Sequence, residues 1–175
     1  NPVTQIRITC AADGRVTVYN NGPGIEIEIH EKASEHFKRK ILLPTFIFGM
    51  LFQGSNGGSN QESIIGGTNG LGAKISNCFS TEFTVETTRD NKYFYQKWTN
   101  HKEIEHDPIV VDLSTRHSLT REQSAPHTTL SFMPDYVGLF GYKQFDSETY
   151  AALVDVVRTR VIMASAYAHY AASTT

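Results

Sequence analysis

Residues 63–81 read SIIGGTNGLGAKISNCFST. Gly66, Gly67, Gly70 and Gly72 leave a run of backbone N–H groups unshielded by side chains. The run that follows, AKISNCF, sets Ile75, Cys78 and Phe79 on one helical face, so a helix is expected to begin near Gly72 or Ala73. A glycine-rich turn entering a helix N-terminus suits a phosphate group. Its N–H groups point at the anion and the helix dipole favours negative charge. Lys74 adds a full positive charge at the same place.

Two common glycine motifs do not fit. A P-loop needs Gly-Lys-Ser/Thr at its end, whereas Lys74 follows Ala73 and precedes Ile75. The turn GGTNGLG together with Tyr93-x-x-x-Lys97 imitates a short-chain dehydrogenase. Its leading strand would be only SII, however, and Tyr93 and Lys97 sit in an alternating strand pattern, so no nucleotide-binding βαβ unit is present.

The rest of the chain bounds the answer. Its 175 residues suffice for one domain with a core. With 39 % hydrophobic and 19 % charged residues it is neither a disordered nor a membrane-embedded composition. No apolar run reaches the roughly 18 residues that a membrane span needs. The opening NPVTQIRITC has no signal-peptide pattern and no initiator methionine, so a piece of a longer chain is expected. Cys10 and Cys78 make neither a disulfide framework nor a metal site and read as reduced thiols. A net charge of −2 argues against strong nucleic-acid binding by this segment alone.

Strand and helix patterns alternate along the sequence. Residues 3–10 and 15–19 read as a hairpin around ADG, and NNGPGI then breaks regularity. Residues 31–40 are polar, an exposed helix or excursion. LPTFIFGMLF has Pro44 in a first helical turn and Phe46, Ile47, Met50 and Leu51 at helical spacing. Residues 53–63 form a low-complexity polar loop. EFTVETT and KYFYQKW form a second hairpin around RDN. PIVVDL and TTLSFM are strands flanking a polar excursion at 114–127. One long helix runs from Asp146 to about Ala172, capped by Asp146 or Ser147.

The two glycine clusters, NNGPGI and GGTNGLGAK with LPTFIFG between them, resemble the GHKL ATPase superfamily. Within it they are most similar to the ATPase domain of eukaryotic-type type IIA DNA topoisomerases, cellular or from a large DNA virus. The likeness continues through FGMLFQGSN, CFSTEFTVET, YFYQKW, TTLSFMPD and the closing helix. It implies a Bergerat-type α/β two-layer sandwich, a mixed and mostly antiparallel sheet with helices on one face. Residues 1–175 would form a partial ATPase domain that lacks the N-terminal catalytic helix and the following transducer domain.

The resemblance also assigns roles. Asn20 takes the place of the superfamily's adenine-binding aspartate, and its amide oxygen can accept the same bond; Asn20 and Asn21 also suit a plain turn. Gly22 and Gly24 let the backbone pass close to the base. Ser55 and Asn56 match lid residues contacting ribose and phosphate, with Gly54 where the family often has serine. Gly67, Thr68, Asn69, Gly70, Leu71, Gly72, Ala73 and Lys74 match the phosphate box, Leu71 standing where tyrosine is common. The loop from Gly54 to Gly67 is expected to order on nucleotide binding. Thr128 matches a threonine beside the adenine, or is a plain strand threonine. The family's general-base glutamate and magnesium-binding asparagine are expected upstream of Asn1, so no catalytic or metal residue is assigned here. Glu26, Glu28 and Glu31 read as a solvated edge, and none of the seven histidines is assigned. The implied cofactors are ATP and Mg2+. The implied partners of the parent are a second copy, joined through the ATPase gate, and double-stranded DNA, with no membrane. Its expected location is the nucleus, or the host cytoplasm or viral factory if viral. Another GHKL ATPase, of chaperone, mismatch-repair or chromatin-remodelling type, and a non-catalytic nucleotide-binding or dimerisation module remain the alternatives.

Overall fold

The computed structural model describes residues 3–50, 71–115 and 118–173, with the backbone alone for Leu71 and 164–173. Five helices and seven strands occur among them in the order β1 (Ile6–Cys10), β2 (Val16–Asn20), α1 (Glu31–Phe37), α2 (Leu43–Gly49), α3 (Leu71–Cys78), β3 (Ser80–Arg89), β4 (Lys92–Thr99), β5 (Glu103–Ile104), β6 (Ile109–Asp112), α4 (Arg121–Ser124), β7 (His127–Pro134) and α5 (Ser147–Ser173). Both expected hairpins form. Asp90 and Asn91 each take positive φ, at 49° and 59°, the geometry of the two-residue turns that favour Asx residues. The carboxylate of Asp13 accepts the Arg15 N–H at 3.0 Å in the other turn.

The strands pair in the order β1-β2-β7-β3-β4-β5, with β6 sharing the outer edge of β4. Every pairing among the described strands is antiparallel. β7 thus enters between two hairpins, joining β2 to β3. Register then fixes the two faces, because side chains alternate along each strand. One face carries the row Val16, Phe132, Phe83 and Trp98, and beside it the row Val18, Leu130, Val85 and Gln96. Phe83, Val85, Phe94 and Trp98 are buried there with Phe48 of α2, and Ile25, Ile27, Ala73 and Leu130 pack around them.

The opposite face is polar. Glu82 bridges Arg15 at 2.6 Å and Lys97 at 3.1 Å, and Lys97 also meets Glu105 at 3.0 Å. Lys97 is therefore a sheet-surface cation, as its position in a strand implied. The polar excursion crosses this face. Thr120 and Gln123 form a capping box for α4, the Gln123 carbonyl accepts the Thr88 hydroxyl, and Glu122 pairs with Arg7 at 2.8 Å. These contacts fasten β1 to β3 across β2 and β7. At the far end Asp146 caps α5, accepting the Thr149 N–H at 2.9 Å.

Helix α3 departs from the expected orientation. Ile75 and Phe79 are 49 % and 44 % exposed; they line an apolar cavity of about 310 Å3 with Phe132, Pro134 and Phe140. The core-facing positions are Ala73 and Asn77. Ala73 is small enough to bring the helix close to the core cluster. Asn77 is fully buried because its amide donates to the Phe48 carbonyl at 3.0 Å. That bond satisfies a carbonyl that the end of α2 leaves free. A polar inward residue disguised the inner face in the hydrophobic pattern.

Candidate functional site

Strand β2 ends at Asn20, directly opposite Thr128 of β7, and Thr128 lies opposite Thr87 of β3. The three form a polar row at one end of an otherwise apolar face. Thr87 is its anchor. The buried hydroxyl donates to the His127 carbonyl at 2.8 Å, accepts the Ile25 N–H at 2.9 Å and lies 3.2 Å from the Thr128 hydroxyl. It thereby ties the segment after β2 to the sheet. The inward, alternate spacing of Phe83, Val85 and Thr87 was the available signal for this residue, and sequence reasoning did not use it.

The Asn20 side-chain oxygen accepts the Gly22 N–H at 3.1 Å. This is the turn-forming role, and the oxygen's second lone pair stays available to a ligand donor. Asn21 points the other way, accepting the Thr4 and Gln5 N–H groups at 3.0 and 2.8 Å. Gly24 has φ +76°, and a β-carbon there would run into the Thr88 carbonyl. A β-carbon on Gly22 would lie 2.8 Å from Val3 and 2.9 Å from Asn20. Gly24 thereby lets the loop close onto β3, and Gly22 lets it close onto Val3 and the Asn20 side chain.

The second half of the site is α3. It starts at Leu71, two residues before Ala73, as the glycine turn suggested to within a residue or two. Ala73 rests on the core cluster that also takes up Ile25 and Ile27, so the segment after the first glycine box and the start of α3 share one set of core side chains. The Lys74 ammonium lies 4.9 Å from the centre of the Phe46 ring on α2. The φ of Gly72 is not in the left-handed region, and among the described residues nothing lies within 4 Å of a β-carbon added there, in the first turn of α3. Ser55, Asn56, Gly67, Thr68, Asn69 and Gly70 lie outside the described residues.

The neighbouring ionisable groups have structural work. Glu26 pairs with Arg89 at 2.8 Å. His30 caps α1, accepting the Ala33 N–H at 3.1 Å, and its ring sits 4.0 Å from that of Phe46. His101 meets Asp135 at 2.9 Å, His106 stacks on Tyr95, and His127 is buried. Among the described residues no group of three His, Cys, Asp or Glu side chains could hold a metal ion.

No family model matches the sequence. It is 36 % identical over 140 residues to DNA topoisomerase 2 of Acanthamoeba polyphaga mimivirus, a match covering 79 % of this chain and 10 % of that protein. It is likewise 36 % identical over 153 residues to DNA topoisomerase 2 of Saccharomyces cerevisiae, covering 86 % of this chain and 9 % of that one. The chain thus spans about a tenth of the length of the curated relatives it matches. The ATPase region of the Saccharomyces cerevisiae enzyme, in its structure bound to ICRF-187, superposes with a TM-score of 0.70 at 33 % identity, over 91 % of this chain and 38 % of that one. The 43K ATPase domain of Thermus thermophilus gyrase B shares the fold, with a TM-score of 0.57 at 23 % identity. The order of the two glycine boxes, the strand that enters between two hairpins and these likenesses agree, and the chain belongs to the family of topoisomerase II ATPase regions, with their GHKL fold.

Proposed function

We propose that this chain is the nucleotide-binding part of an ATP-dependent type II DNA topoisomerase. The observation that carries the reading is that Ile25 and Ile27, after the first glycine box, and Ala73, at the start of α3, pack on one core cluster within a sheet of the family's topology. In this reading the Asn20–Thr128 row and the Gly22–Gly24 loop receive the adenine, and the start of α3 with Lys74 receives the phosphates. ATP binding closes two copies of the parent enzyme at the gate, and hydrolysis is coupled to passing one DNA duplex through another. Magnesium accompanies the phosphates. The site of action is the nucleus, or the host cytoplasm or viral factory if the source is viral.

The phosphate assignment is tested by calorimetric titration of the ATPase region with a non-hydrolysable ATP analogue. A hydrogen bond to a charged group contributes about 1.5–3 kcal/mol, so Lys74→Ala should weaken the analogue by roughly 10- to 100-fold. Unchanged affinity would leave Lys74 as a helix-surface lysine and remove the phosphate assignment.

A further inference from the structure

A second polar constellation lies on the helix-covered face, near the β4–β5 edge. Gln96 and Trp98 project from β4 into the layer between the sheet and α2, and they are 0 % and 1 % exposed. The Gln96 amide oxygen accepts the Thr45 hydroxyl at 2.6 Å, but among the described residues its amide nitrogen has no partner, and neither has the Trp98 indole N–H. Two buried, unpartnered donors two residues apart on one strand are unusual, because buried donors are nearly always satisfied. Both side chains line open space. Trp98 borders a cavity of about 250 Å3 with Phe37, Arg39, Gly49 and Lys102. Gln96 borders an adjoining cleft of about 30 Å3 that shares Arg39 and adds Lys40, with Asp107 as its acidic member. Gly49 opens the larger cavity onto the indole, since a β-carbon there would lie 2.7 Å from the Trp98 ring nitrogen.

The larger cavity has Arg39 and Lys102 and, among the described residues, no acidic residue in its lining. Arg39, Lys40 and Lys102 form no ion pair among the described residues. Apolar walls with a cationic rim match a ligand having an apolar body and an anionic oxygen. We propose that this cleft binds a small carboxylate- or phosphate-bearing molecule with an apolar group. The oxyanion sits between Arg39 and Lys102, and its apolar part lies along Phe37 and Trp98. Lys74 takes no part in this cleft, which stands apart from the nucleotide reading.

Trp98 is the single tryptophan of the chain, so its fluorescence reports on the cleft directly. The test titrates the 175-residue chain at constant ionic strength with phenyl phosphate and with benzoate, using benzyl alcohol as the neutral control. A saturable change is expected with the two anions, at least tenfold weaker with benzyl alcohol, and retained in Lys74→Ala. The double variant Arg39→Gln, Lys102→Gln removes one rim charge from an exposed position and one from a half-buried position, and its fold is checked by circular dichroism. It should bind the anions at least tenfold more weakly. No saturable change, an equal response to benzyl alcohol, undiminished binding by the double variant, or loss of binding in Lys74→Ala would each overturn the proposal.

Discussion

Thr87→Val isolates the bond network that holds the Asn20–Gly24 loop to the sheet. Valine keeps the shape of threonine and replaces its hydroxyl by a methyl group. Thr87 is fully buried, so water cannot take over the lost bonds. The Ile25 N–H, now bonded at 2.9 Å, is left without its acceptor, and the His127 carbonyl and Thr128 hydroxyl each lose a partner. Stripping a buried donor costs about 1–3 kcal/mol, and the extra buried methyl offsets about 0.8 kcal/mol. Because the His127 carbonyl and Thr128 hydroxyl lose bonds as well, the upper half of that cost applies, and a net loss of about 1–2 kcal/mol follows. At about 2–4 °C per kcal/mol for a domain of this size, the melting temperature should fall by about 2–8 °C. Thr84→Val is the control, because the Thr84 hydroxyl donates at 3.3 Å to Ser131 on the half-exposed polar face; it should stay within about 0.5 kcal/mol. Thermal unfolding followed by circular dichroism measures both. If Thr87→Val unfolds with the parent chain, or if the two variants lose equally, the loop is not held through Thr87. Calorimetry with the ATP analogue adds the functional side: Thr87→Val should also weaken binding, since the loop carrying Gly22 and Gly24 is released.

Further outcomes follow from the glycines and the polar face. Gly24→Ala forces a β-carbon against the Thr88 carbonyl at φ +76°, and should lower denaturant stability by at least about 2 kcal/mol at unchanged m-value. Gly72→Val adds its β-carbon in open space, so stability should move by no more than about 0.5 kcal/mol while analogue binding is lost; retained binding would place the phosphates elsewhere. Burial works to raise the Glu82 carboxyl, but hydrogen bonds from Lys97 and Arg15 outweigh it and hold the group below its ordinary 4.5. A depressed folded-state value stabilises the protein above pH 4.5 and is lost as pH falls through it. Glu82→Gln should therefore cost up to about 1 kcal/mol at pH 7, and the gap should close in denaturation series taken progressively below pH 4.5.

The fold was legible where period and punctuation agreed. The alternation in EFTVETT and KYFYQKW, closed by Asp90-Asn91, predicts β3 and β4, and Pro44 and Asp146 mark the starts of two helices. Polar residues inside the pattern were harder to read. Asn77 is buried for one backbone carbonyl at the end of α2, whereas Thr87 holds an inward strand position and is buried by its bonds to the His127 carbonyl, the Ile25 N–H and the Thr128 hydroxyl. Ile75 and Phe79 satisfied the helical period yet face away from the core, because α3 approaches through Ala73. The site was legible as two glycine boxes but not in its internal mechanics. Local spacing cannot show that Gly24 is glycine because of a carbonyl on β3, which comes from far along the chain.

Lys74 has a resting partner as well as a proposed ligand, and the two can be separated. Its ammonium lies 4.9 Å from the Phe46 ring centre, at half-buried positions where a cation–π contact contributes about 0.5–1 kcal/mol. Charge-assisted bonds to phosphate contribute more, about 1.5–3 kcal/mol, so a bound nucleotide would draw Lys74 off the ring. Whatever the contact stabilises in the free protein opposes binding. Phe46→Leu keeps an apolar helix-forming side chain and removes the ring, so it should tighten the ATP analogue by about 2- to 5-fold, the same 0.5–1 kcal/mol read as affinity. The substitution also removes the ring beside His30, 4.0 Å away, which touches the start of α1 and changes stability. A double-mutant cycle separates the two effects. In the Lys74→Ala background Phe46→Leu should leave affinity unchanged while still altering the unfolding midpoint. If Phe46→Leu weakens the analogue in both backgrounds, Phe46 shapes the pocket rather than holding its lysine back. If it tightens the analogue equally in both, the gain does not pass through Lys74 and the phosphate role fails with it.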